Sequence, residues 1–135
     1  MTIFNKVRAI FDDRLASTPD IPKIAFQNVP YAHEVGDTYV KATLAPTSTR
    51  LSTMGSNPQQ LYKGLYNLLI CTPEANGSGE GYDLADTLLA RFPASQDLSL
   101  DGQYITIEYS EVGASFLDSP FYCTPITIGW YSYHT

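Results

Sequence analysis

The sequence predicts a two-layer α+β domain, and three features of its middle third carry that prediction. Leu61 to Cys71 holds Leu65, Tyr66, Leu68, Leu69 and Ile70 with no charge after Lys63, the composition of a strand covered on at least one face. Leu84, Ala85, Leu88, Leu89 and Phe92 recur at i, i+1, i+4, i+5 and i+8, one apolar face of a helix. Pro93 stops that helix, because it lacks an N–H donor and biases Phe92 away from the α region. Between the two, Glu74 to Gly81 supplies three glycines and two carboxylates and reads as a flexible loop, too polar for a core. A strand that feeds straight into a covering helix is the nucleus of a two-layer arrangement.

With 135 residues the chain is read as one domain, 1–135, large enough to bury a real core. Hydrophobic residues make up 44% and charged ones only 16%, so disorder is not expected and much of the surface must be neutral polar or paired with something. Ten tyrosines suit half-buried strands and interfaces, where the ring packs and the hydroxyl stays wet. A net charge of −6 argues against nucleic-acid binding, which needs clustered cations to displace phosphate counterions, although a duplex passing by without sticking is compatible with it. Cys71 and Cys123 lie in apolar strand-like runs, where free cysteine behaves as a small hydrophobe; a bridge would require their strands to be neighbours, and buried free thiols are the preferred reading. Met1 leads into a charged amphipathic pattern rather than a signal peptide, and no apolar run approaches the roughly 20 residues of a membrane span, so a soluble protein made in the cytoplasm is expected.

Taken in order, Thr2 is placed to cap a helix whose apolar face is Ile3, Phe4, Val7, Ile10, Phe11 and Leu15, with Lys6, Asp13 and Arg14 opposite. Its mixed-sign polar face favours packing on a sheet over a membrane surface. Lys23 to Val29 is a short strand candidate, followed by a loop over 28–37 that contains His33 and Glu34. Tyr39 to Ala45 alternates Val40, Ala42 and Leu44 against Tyr39, Lys41 and Thr43, a half-exposed strand, and Pro46 suggests an edge or a bend. Thr47 to Gln60 then runs fourteen residues with one cation and no anion. It is either a functional loop or extended hairpin arm, or a floppy tip around Gly55 and Pro58. After the second helix, Leu98 and Leu100 pair as a short hairpin across Asp101-Gly102 with Gln103 to Ser110, which alternates Tyr104, Thr106 and Glu108 against Ile105, Ile107 and Tyr109. Glu111 to Pro120 is a loop whose Phe116-Leu117 is tucked in or contacts a partner. Phe121 to Tyr133 is a long last strand, with breaks suggested at Pro125 and Gly129, and its Trp130, Tyr131 and Tyr133 suit core closure or a subunit interface.

Catalytic residues are not expected. No histidine is marked to activate either thiol, and no serine sits in a G-x-S-x-G elbow. The glycine loop lacks the Lys-Ser/Thr of a phosphate cradle, and Glu74, Glu80 and Asp83 would repel phosphate. Metal work by His33 and Glu34 would need partners, and His134 is the one other histidine. Asp12-Asp13 is read as a solvated pair.

The order of these segments resembles the tail terminator (tail completion) family of long-tailed bacteriophages, the siphophages. The likeness rests on the N-terminal helix, IAFQNVPY (Ile24 to Tyr31), YVKATLAP (Tyr39 to Pro46), YKGLYNLLICTP (Tyr62 to Pro73), the glycine-rich loop, LADTLLARFP (Leu84 to Pro93) and the closing ITIGWYSY, and it spans nearly the whole chain. It implies a mixed, mainly antiparallel β-sheet with two helices packed on one face, plus the extended loop or hairpin arm. It further implies a hexameric ring of identical chains that caps the tail tube, stops its polymerisation and offers a surface to the head completion or connector protein. Such a protein is made in the host cytoplasm and resides in the virion, at the head-proximal end of the tail. DNA would pass through the bore without specific binding, and no cofactor, metal, membrane or catalytic residue is called for. Within that reading Arg50, Leu51, Met54, Asn57, Gln59, Gln60, Trp130, Tyr131 and Tyr133 are expected at the subunit or tube interface. Glu74 and Glu80 are expected to line the bore, where acidic groups avoid trapping DNA. The alternatives are a head–tail joining or tail-tube protein and, in a different class, a small ligand-binding or enzymatic α+β domain with a pocket around a perturbed titratable group.

Overall fold

The computed structural model describes residues 2–29, 36–55, 58–75, 77 and 79–134. In chain order they form α1 (Ile3–Ala16), β1 (Lys23–Ala25), β2 (Tyr39–Leu51), β3 (Gln60–Pro73), α2 (Gly79–Arg91), β4 (Asp97–Leu100), β5 (Gln103–Val112), β6 (Phe116–Asp118) and β7 (Phe121–His134). The strands make one mixed sheet in the order β1-β2-β3-β7-β5-β4, with β6 paired to β7; β1 and β2 are parallel and every other pairing is antiparallel. This is the expected α+β fold.

Both helices pack on one face. Val7, Ile10, Phe11 and Leu15 of α1 and Ala85 and Leu88 of α2 meet Val40, Ala42, Leu44, Tyr66, Leu68, Ile70, Ile105, Ile107, Ile126, Ile128 and Trp130 of the sheet. The sheet residues alternate along each strand, as a single covered face requires. At their C-terminal ends the helices cap each other. Arg14 Nε donates to the Arg91 carbonyl at 2.5 Å, and Arg91 Nη2 donates to the Arg14 carbonyl at 3.1 Å and to Ser17 Oγ at 2.7 Å. These bonds satisfy carbonyls that a helix end leaves without partners, and both cations sit at the negative end of a helix dipole. Burial, and then the nearby Arg91 charge, pull the Arg14 guanidinium below its ordinary value. Thr2 stands at the N-cap of α1, yet its side chain makes no capping bond.

Several boundaries differ from the sequence expectation. β1 ends at Ala25 rather than Val29. β2 passes through Pro46 because its ring nitrogen faces the same outer edge as the Leu44 N–H, which donates to Gln27 Oε1 at 2.9 Å instead of to β3, so the ladder loses no donor; a register shift follows between Pro46 and Ser48. β7 is unbroken, pairing with β3 from Gln60↔His134 to Pro73↔Phe121 without a shift. Pro125 does no harm there. Its carbonyl accepts from Gly113 N on the β5 side, so its ring nitrogen also points away from β3. α2 begins at Gly79, so Gly79, Glu80 and Gly81 are helical rather than loop. A bulge between Ile107 and Tyr109 turns Tyr109 off the covered face and lays its ring over Gly129. Phe116 and Leu117 are not tucked in, being 45% and 60% exposed on β6. Asp12 is not simply solvated, since it accepts a 2.6 Å hydrogen bond from the buried Tyr66 hydroxyl and a 3.2 Å contact from Arg8. His33 and Glu34 lie outside the described residues.

Candidate functional site

The described residues of the segment over 47–60 form a hairpin arm. β2 and β3 stay paired out to Leu51↔Gln60, and β2 is exposed along almost all of its length beyond Ala45. The tip is closed by polar bonds that need no ion pair. The Gln59 carbonyl accepts from Ser52 N at 2.9 Å, Ser52 Oγ at 3.2 Å and Thr53 N at 3.3 Å, while Gln59 N donates to Thr53 Oγ1 at 2.7 Å. Serine and threonine favour such local turns, which explains the polar composition that makes the segment stand out in the sequence. Apolar groups sit outside this scaffold: Leu51 is 65% exposed and Met54 95%.

Register sorts the expected interface residues into groups. Arg50, Leu61 and Tyr133 occupy one row across β2, β3 and β7, and Lys63 and Tyr131 occupy the next row on that face. This is the face without helices, because the intervening Tyr62 packs its ring edge-on against Phe4 of α1 at 5.7 Å. Tyr131 and Tyr133 meet edge to face at 6.0 Å. Leu51 and Gln60 pair on the helix side, where Gln60 Oε1 accepts from the Tyr62 hydroxyl at 3.1 Å. Gln59 and Met54 belong to the tip, and Asn57 lies outside the described residues. Trp130 corrects the sequence reading. Its indole is 0% exposed, tilted against Phe11 at 6.5 Å and pressed over Gly64, so it closes the core and presents no surface. Tyr104, 65% exposed on β5, adds another surface tyrosine, and its alternation with the buried Ile105 is the local signal of that wet face.

Glu74 and Glu80 lie at the other end of the sheet. The β3 strand separates them from the arm by about 45 Å at the usual rise per residue. Glu74 follows β3 and accepts from Ser119 Oγ at 2.8 Å; Glu80, in the first turn of α2, accepts from Thr38 Oγ1 at 2.8 Å. Both side chains are exposed. A cleft of about 600 Å³ lies between α2 and the loop after α1, where Asp20, Glu80 and Asp83 line it beside Ile21, Leu84 and Leu88. Among the described residues no three His, Cys, Asp or Glu side chains are grouped to hold a metal, and no helix is long and apolar enough to cross a membrane.

The chain is thus an α+β domain that exposes a hairpin arm, several tyrosines and, among the described residues, the outer edge of β2 beyond position 41. It belongs to the phage tail terminator family: the model for that family, described as phage tail terminator protein, matches residues 6–130. The chain is therefore a structural protein of bacteriophage tail assembly, a virion tail component that works with other tail and head proteins. Among solved structures, one known only by a sequence designation superposes with a TM-score of 0.73 at 25% identity, covering 96% of this chain and 94% of that one. A search of the curated proteins finds no match.

Proposed function

We propose that the protein assembles as a homo-hexameric ring on the head-proximal end of the tail tube. There it stops tube polymerisation, presents a surface to the head completion or connector protein, and lets DNA pass through its bore without specific binding. It acts as a structural part rather than an enzyme, and needs no cofactor. The observation that carries this reading is the family match across 6–130.

The physical features support it. A ring uses heterologous contacts, so two different surfaces of one chain must match. Among the described residues, β2 has no strand neighbour on its outer side over 42–51, and β5 has none beyond its pairing with β4 over 108–112. These are unlike edges at opposite margins of the sheet, as head-to-tail closure needs. The arm adds Arg50, Leu51, Met54, Gln59 and Gln60, with Tyr131 and Tyr133 beside it, as the subunit or tube contact. Glu74 and Glu80 are assigned to the bore, where they repel the duplex.

Replacing Glu74 and Glu80 with lysine tests the bore assignment. Genome ejection should slow as added cations hold the duplex, and unchanged ejection removes the assignment. Shortening the arm across 52–59 tests the contact assignment. Loss of ring formation or of tail attachment is expected; rings and attachment that survive the deletion would overturn it.

A further inference from the structure

Cys71 and Cys123 face each other directly in the β3–β7 ladder. Both thiols are free, and their sulfur atoms are 2.7 Å apart. Directly opposed residues of antiparallel strands hold their Cα atoms about 4.5–5.5 Å apart, inside the roughly 4.4–6.8 Å that a disulfide spans. The backbone thus already supplies what a bridge needs, and bringing the sulfurs to about 2.05 Å asks for a shift of roughly 0.7 Å. Each cysteine is only 1% exposed, within an apolar cluster that also contains Ala25, Tyr39 and Phe121 on the helix-free face. Tyr39 stands directly opposite Cys71 on the other side, in the β2–β3 ladder.

We propose that this pair is a redox modification site, converted by a hydroperoxide into an intrachain disulfide that staples β3 to β7. In the first step one thiolate attacks a peroxide oxygen, the O–O bond breaks, and the departing hydroxide takes up the thiol's proton as water, leaving a sulfenic acid. In the second step the other sulfur attacks the sulfenic sulfur, the S–O bond breaks, and a second water leaves with the remaining thiol proton. Two thiols and one hydrogen peroxide become one disulfide and two waters, the peroxide being reduced by the electron pair the sulfurs lose. Peroxide suits the site because it is small and uncharged, whereas a peptide-sized disulfide oxidant has no route to a buried sulfur. Burial, and then the bond to Cys71, push the Cys123 thiol up to about 12, which makes the reaction slow. In a reducing compartment both thiols persist; in an oxidising medium the bridge is the stable form.

The test is peroxide treatment of the folded, full-length chain, followed by non-reducing peptide mapping and thermal unfolding. Met54, 95% exposed, reports that oxidant has acted. The expected result is a linked peptide pair containing Cys71 and Cys123, lighter by about 2 Da than the two thiols together. Both thiols should vanish in step, return with dithiothreitol, and their loss should raise Tm by about 5–15 °C. In Cys123→Ala, Cys71 should gain oxygen or stay unreacted, with no rise in Tm. Two alkylatable thiols surviving after Met54 is fully oxidised would overturn the proposal, as would sulfinic acid in place of a bridge or a bridge between two chains. If the variant does not fold, the mapping and Tm of the unaltered protein decide alone.

Discussion

Replacing Gly64 with alanine tests how the two longest strands close over the core. A β-carbon there would lie 2.6 Å from Trp130 Cζ2, 2.9 Å from Cε2 and 3.0 Å from the Ala45 carbonyl oxygen. Neither neighbour yields cheaply, since the indole is fully buried against Phe11 and the carbonyl belongs to β2. The backbone is no obstacle: Gly64 is not in the left-handed region, and a glycine-to-alanine exchange at a permissive position gains about 0.4–1 kcal/mol. Overpacking a rigid core costs about 1–3 kcal/mol. The net is a loss of about 1–2 kcal/mol, or about 3–8 °C in Tm for a chain of this size. Gly129 is the control. Its β-carbon would come closer still, 2.2 Å from Tyr109 Cε1, but that ring is 39% exposed and free to swing outward. Gly129→Ala should therefore stay within about 1 kcal/mol of the parent. Urea midpoints at constant slope rank the two, and Trp130→Phe in the Gly64→Ala background should recover part of the loss. A Gly64→Ala midpoint at or above the parent, or a worse one for Gly129→Ala, would refute the reasoning from rigidity.

Three further outcomes follow from the core. Arg91→Met removes the bonds to the Arg14 carbonyl, Ser17 and Thr18, and should cost about 1–2 kcal/mol in urea unfolding; an unchanged midpoint would mean that water replaces the clamp. Tyr66→Phe removes the 2.6 Å bond to Asp12 and should cost about 1–2 kcal/mol with little change in slope; a neutral effect would show that Asp12 draws nothing from the phenol. Stability should also fall in alkali. The Cys123 thiol ionises near 9 in the unfolded chain and only near 12 when folded, first because it is buried and then because it bonds to Cys71, so the unfolded chain holds fewer protons between those values. Stability then falls by up to about 1 kcal/mol per pH unit in that window, and Tyr66, pushed up by burial and by its bond to Asp12, adds to the loss above pH about 10. Urea midpoints at pH 8 to 11 check the sign, and Cys123→Ala should flatten the first part of the fall; a level profile would contradict it.

What the sequence made legible was periodicity. The apolar stripes at Val7, Ile10, Phe11 and Leu15 and at Ala85, Leu88 and Phe92, with the alternation in 39–45 and 103–107, are local, and they fixed two helices and the covered face of the sheet. The arm was legible as a polar run with one cation, though only pairing decides between hairpin and loose tip. Features set by distant contacts were not legible. Gly79 and Gly81 read as loop because glycine is a poor helix former, yet Gly81 allows α2 to approach Thr124, whose Oγ1 would lie 3.1 Å from an added β-carbon. Trp130 suits core closure or an interface equally when read locally, and it is Gly64, 66 positions earlier, that supplies the niche that buries it. The bulge that turns Tyr109 outward, and the arginine clamp between positions 14 and 91, leave no local trace at all.

The claim on which the account turns is that this chain works through its outside. Tail length by electron microscopy tests it most directly, in virions that carry Leu51→Ser and Met54→Ser together. Both side chains are solvent-facing, so the fold should keep its stability within about 0.5 kcal/mol. The account predicts a well-folded protein with overlong tubes and tails that fail to join heads. Tails of normal length, joined to heads, from a chain stripped of both apolar groups would contradict it.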